Sequence, residues 1–356
     1  MEYNENDLFH YGMLSVGLNG KDGYIDKNDR FIIKPQFDRG QDFKKSGLAI
    51  VYDKEKRKYG YIGTTGAYVI GLRFDSAYEF GDNGLASVEI GGKYGFIDRS
   101  GEFVIKPQFH WLWGFAENGL AAAYIDNKAG YIDETGKFKI APVFDRAGTF
   151  NSKGLANVAV KGKIGFINET GEFVIDPVFE AFAGFSDNGI AVVLLGGKWG
   201  YIAPSGGYIA EPQFERAGRF AANGLACVRI SGKWGFIDET GAFAIEPQFD
   251  GAGDFAENGR AAVCVDGKWG FTDKSGAAVT QPQFDEVSGF AKNGLALAYI
   301  NGKAGFIDET GRFVIEPQFD YAEDFFDDGY SLVRVSGKWG VINEKGEYII
   351  EPLYSM

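Results

Sequence analysis

The chain has 356 residues, 45% of them apolar and 24% charged, a composition that excludes wholesale disorder. A net charge of −13 excludes a broad nucleic-acid footprint, because phosphate neutralisation needs a basic face. Two cysteines and two histidines are too few for a disulfide scaffold or a histidine-based triad or zinc site, and no apolar run is long enough to span a membrane as a helix.

The first residues, Met-Glu-Tyr-Asn-Glu-Asn-Asp, are acidic and lack the basic-then-apolar order of a secretory leader, so the expected compartment is the cytoplasm. From there a single string, Gly-Lys-Trp-Gly-Phe-Ile-Asp, recurs in variants to the end of the chain. Its second glycine falls at Gly23, Gly60, Gly95 and then at every 35th residue to Gly340. Four slots per copy hold 37 of the 52 glycines, and one slot, Pro35 through Pro352, holds nine of the ten prolines. Residues 1–356 therefore read as one domain of ten tandem copies.

One copy, residues 224–255, supplies the elements. Gly224 to Ile230 alternates as a strand. Ser231-Gly232 is a two-residue hairpin turn, and Lys233 to Asp238 is a second strand with Trp234 and Phe236 on one face. Glu239-Thr240-Gly241 turns the chain into a third strand, Ala242 to Ile245, which Pro247 stops. The segment to Phe255 crosses to the next copy. This predicts an all-β chain of antiparallel β-meanders with no helix. A lone meander of this size cannot bury its aromatic face, so neighbouring copies must stack, with the recurrent Phe37 and Phe43 slots wedged between units. A propeller-like toroid is favoured over an open β-solenoid or superhelix, because Tyr354 ends the chain near the repeat phase at which it begins.

The repeated Lys-Trp-Gly core, as in Lys198-Trp199-Gly200-Tyr201-Ile202 and Lys233-Trp234-Gly235-Phe236-Ile237-Asp238, together with the Pro-Gln-Phe-Asp tail, closely resembles the WG-repeat (KWG-repeat) proteins of bacteria. The resemblance covers residues 8–356, although six copies lack the tryptophan. It implies a β-repeat protein of interaction function and brings no catalytic motif.

The remaining polar slots read first as structural. The lysine before the tryptophan slot is present in every copy from Lys21 to Lys338, and its stem is expected to cover a ring while its head meets a recurrent Asp. Carboxylates such as Asp238 and Asp250 sit at turns, where Asp caps backbone N–H groups. No catalytic, cofactor or metal residue is assigned. The one clear departure from the repeat is Phe109-His110-Trp111-Leu112-Trp113, where a sister copy reads Phe144-Asp145-Arg146-Ala147-Gly148. His110, Trp111 and Trp113 are the candidate binding patch. The expected function is a non-enzymatic scaffold for a protein partner. The alternative is a glycan- or cell-wall-binding protein, and a hydrolase using the repeat carboxylates is the remote one.

Overall fold

The computed structural model describes residues 4–355. All regular structure is β, in ten antiparallel sheets of one pattern, the blades of a propeller-like array. The first sheet, Leu14–Leu18, Lys21–Ile25 and Phe31–Phe37, has three strands and the other nine have four. The seventh is typical, with Arg216–Ala217, Leu225–Ile230, Lys233–Asp238 and Phe243–Phe249 paired in that order. The chain divides into two compact units, residues to Pro177 together with the C-terminal residues from Tyr354, and Val178–Leu353.

Two details differ from the sequence reading. The crossing segment opens with a short strand that pairs with the next hairpin, as Arg216 does with Arg229. The third strand does not stop at the proline but runs through it to Phe249. The register slips twice between the second and third strands, at Trp234/Phe236 and Phe236/Ile237, so Pro247 lies in a bulge where its missing donor breaks no ladder bond.

That bulge explains the invariant glycine. The turn glycines do need left-handed backbone, as Gly232 (φ 80°) and Gly241 (φ 85°) show. Gly235 does not. A Cβ there would lie 2.6 Å from the Ile245 carbonyl oxygen and 2.8 Å from Pro247 N. In all ten copies this glycine has a backbone atom of the bulged third strand within 3 Å of its absent Cβ. Steric approach, not turn geometry, keeps the slot glycine.

The core lies between sheets. Phenylalanines of the crossing segment press on an aromatic ring of the preceding copy: Tyr61–Phe80 at 5.2 Å, Tyr131–Phe150 at 4.7 Å, Phe236–Phe255 at 4.8 Å and Phe271–Phe290 at 4.5 Å. These are the wedges the spacing predicts, and all four are buried.

In most copies the residue between one sheet and the next donates a backbone N–H to the next hairpin. Asp75 N donates to Glu89 O (2.9 Å) and His110 N to Tyr124 O (2.8 Å). The last instance joins the two ends of the sequence: Ser355 N donates to Gly17 O at 3.2 Å, and Gly17 N to Ser355 O at 2.8 Å. The Tyr354 ring meets Phe31 edge-on at 6.2 Å, as Phe37 meets Tyr68 at 6.3 Å, and its hydroxyl donates to Asp29 Oδ1 at 2.6 Å. The C-terminal residues thus supply the first sheet with the kind of partner that later sheets receive from the residue before them.

Candidate functional site

The repeated charges are consumed by the fold. Lys233 Nζ bonds Asp250 Oδ1 at 2.5 Å, and Lys21–Asp38, Lys128–Asp145, Lys268–Asp285 and Lys303–Asp320 are equivalent at 2.6–2.7 Å. The second oxygen of the same carboxylate accepts a backbone N–H of the next hairpin, Asp266 N at 2.9 Å for Asp250. The lysine bond first, and that N–H second, hold the Asp250 carboxyl below the usual carboxylate range. The other Asp series caps turns: Asp238 Oδ1 accepts from the Thr240 N–H and hydroxyl and from Ala242 N. The Asp238 and Asp250 carboxylates are thus engaged in structural bonds, and no cluster of metal-ligating side chains occurs among the described residues.

The fourth copy breaks the pattern. His110 stands where the carboxylate should be, and its Nε2 lies 2.7 Å from Lys93 Nζ, which donates to it. The imidazole offers no second oxygen to the following hairpin. Trp111 and Leu112 form the short first strand of the fourth sheet. The Trp111 ring lies 5.0 Å from Tyr94, 6.1 Å from Tyr78 and 6.1 Å from Trp113. It crosses Tyr78 at 82° and Trp113 at 79°, so the three rings form adjoining walls. Trp113 is 46% exposed and Tyr78 39%, both high for rings of this size. Burial, with Tyr78 next, pushes the Tyr94 phenol up and keeps it neutral.

These walls enclose a cleft of about 310 Å³ between the third and fourth copies, lined also by Glu79, Leu85, Ser87, Phe96 and Gly114. Two polar contacts made in some sister copies are absent here. In four copies a tyrosine of the second strand donates to a carbonyl 17 residues on, as Tyr61 does to Tyr78 O (2.8 Å) and Tyr131 to Gly148 O (2.8 Å). Here, as in four other copies, that residue is phenylalanine, Phe96. Elsewhere a carboxylate reaches a hydroxyl or thiol 27 residues back, Asp42 accepting from Ser15 Oγ (2.6 Å) and Asp254 from Cys227 Sγ (3.1 Å). Here the spacing is kept, but the residue 27 on from Ser87 is Gly114, which brings no carboxylate, and both line the cleft. Ser87 is 6% exposed.

Of the predicted patch, Trp111 and Trp113 meet at this cleft, whereas His110 turns to Lys93 and lines none of it. Sequence reasoning missed Tyr78, Glu79 and Ser87. The 27-residue spacing of Ser15/Asp42 was the available signal for Ser87. The two cysteines, free and buried, hold no special environment beyond the Asp254 contact. The four tryptophans of the Trp-Gly slots are partly buried and form no exposed ladder.

A family model described as "WG containing repeat" matches residues 23–56, 59–94, 94–128, 130–163, 164–199, 199–234, 234–269, 269–303, 305–339 and 339–356. No curated protein matches the sequence. Among solved structures, a eukaryotic initiation factor is similar at TM-score 0.54 and 12% identity, over 84% of this chain and 94% of that one. A dihydro-heme d1 dehydrogenase is similar at TM-score 0.41 and 14% identity, over 78% and 74%. At these identities the first likeness is one of fold alone, and the second carries no argument.

Proposed function

Because the chain belongs to the WG-containing repeat family, with ten matched copies along its length, we propose that it is a non-catalytic binding protein acting through protein–protein contact. The scaffold role rests on redundancy: a reacting group is needed once, and the polar slots repeated here are occupied by ion pairs and turn caps. The contact centres on the third and fourth copies. The observation that carries this is the pair of half-exposed rings, Tyr78 and Trp113, beside a cleft that Trp111 also lines. Large rings in a desolvated pocket are the residues that dominate interface energies.

Quantitative crosslinking capture from the source lysate, with the wild-type chain and Trp113→Ala in parallel, tests the reading. The expected result is one partner recovered by the wild type and depleted at least about tenfold with Trp113→Ala. Recovery of the same proteins by both forms contradicts it. Retention on a glycan that is lost with Trp113→Ala, with no protein recovered, replaces it by the carbohydrate alternative.

A further inference from the structure

We propose that the cleft between the third and fourth copies is a guanidinium site that receives an arginine side chain from a basic segment of the partner. The inference rests on the binding reading above and names the chemistry of what binds. Three aromatic walls, Tyr78, Trp111 and Trp113, with Trp111 near-perpendicular to the other two, form an open cage whose ring faces favour a cation. A carboxylate, Glu79, lines the same cleft. Its own partner is Lys44 at 3.5 Å, a long pair with the Glu79 side chain 55% exposed, and such a pair yields readily to a better-placed charge.

The hydroxyl at the floor selects among cations. Ser87 is more than nine-tenths buried, and the carboxylate that bonds its counterparts Ser15 and Cys227 is absent opposite it. A quaternary ammonium has no N–H to give this oxygen or Glu79. A guanidinium has five, arranged in a planar fork that stacks on aromatic faces. A neutral saccharide would bond Ser87 and Glu79 through its hydroxyls but brings no positive charge to the carboxylate or the ring faces. The chain itself holds a guanidinium between rings: Arg334 lies over Tyr321 at 5.6 Å and over Trp339 at 5.7 Å, and Tyr321 occupies the slot of Trp111. Net charge of −13 adds long-range attraction for a basic segment.

The test uses the full chain and the capped peptide acetyl-Gly-Arg-Gly-amide, followed by tryptophan fluorescence. Citrulline, lysine and choline probes and a cello-oligosaccharide serve as comparators. The arginine peptide is expected to bind, and the citrulline peptide, the same shape without charge, about tenfold more weakly. Trp113→Ala and Glu79→Gln should each weaken arginine binding by about tenfold, while Trp234→Phe, outside the cleft, leaves it unchanged. Equal affinity for arginine and citrulline overturns the proposal. So does choline or the oligosaccharide binding more tightly than arginine. No arginine binding, with the partner still lost on Trp113→Ala, overturns this inference and leaves the binding reading standing. Arginine binding with no partner dependent on Trp113 has the opposite meaning.

Discussion

Replacing Gly235 by alanine should destabilise the protein far more than any substitution of the neighbouring turn glycine. The added methyl would stand 2.6 Å from the Ile245 oxygen, 2.8 Å from Pro247 N and 2.9 Å from Pro247 Cα. All three are backbone atoms, and the ring of Pro247 stiffens the strand that carries two of them. Ordinary contact requires the two strands to part by roughly 0.8 Å, across a ladder already broken by two register shifts. Overpacking that only the backbone can relieve falls at the upper end of the usual range, about 3 kcal/mol. If the chain melts as one unit, that lowers the midpoint by about 4 °C, and by more if the units melt separately. The control is Gly232→Asn. Gly232 has φ 80° and open space around its absent Cβ, and the same slot already holds Asn127 at φ 62°, so the cost should be about 1 kcal/mol or less. Equilibrium urea unfolding of both variants, read as midpoint shifts at constant slope, decides the matter. Equal shifts, or a larger one for Gly232→Asn, would refute the close-approach explanation of the Trp-Gly glycine.

Further expectations follow from the same contacts. Removing residues 354–356 deletes the two Gly17–Ser355 bonds, the Tyr354–Asp29 bond and a buried ring, and should cost about 4 kcal/mol, with the Gly17 amide losing its hydrogen-exchange protection. Unchanged protection would place the closing bond in doubt. The depressed carboxyls, Asp133 at about 2 and Asp238 and Asp250 lower than usual, stabilise the fold above the unfolded carboxyl pKa. That stability should fade as pH falls from about 4 towards 2, and Asp133→Asn should flatten the decline; a melting midpoint constant from pH 5 to 2 contradicts it. Cys227, pushed up by burial and then by Asp254, and Cys264, also buried, should resist a thiol reagent at pH 7 until urea is added, and prompt labelling of the folded chain opposes that. His110→Asp should restore the Lys93 ion pair and give the next hairpin its N–H acceptor, raising the melting midpoint; a fall would show that the imidazole packs better than the repeat residue.

Period, hairpins and turn caps were legible in the sequence because each is a local rule: glycine where φ is positive, Asp where N–H groups need an acceptor, a two-residue turn between alternating runs. The Lys–Asp pairing was legible too, since both partners recur at a fixed offset, and the hand-over bond at Ser355–Gly17 agrees with the toroid that the repeat phase favoured. What escaped were effects of backbone against backbone. Strand Phe243–Phe249 passes its proline because the bulge opposite Gly235 removes the need for the missing donor, which no propensity encodes. The cleft escaped for a related reason. Trp111 and Trp113 stand out as additions, but Tyr78, Glu79 and Ser87 join them only through the packing of one copy on the next, which no local rule encodes.

The central claim is that function resides where the fourth copy departs from its sisters. Its most direct test is the dissociation constant for acetyl-Gly-Arg-Gly-amide after that copy is returned to the repeat by His110→Asp, Trp111→Arg, Leu112→Ala and Trp113→Gly, the residues at 145–148. The quadruple variant should remain folded, with β circular dichroism and a cooperative melt, yet bind the peptide at least about tenfold more weakly. A folded variant that binds as tightly as the wild type would contradict the claim.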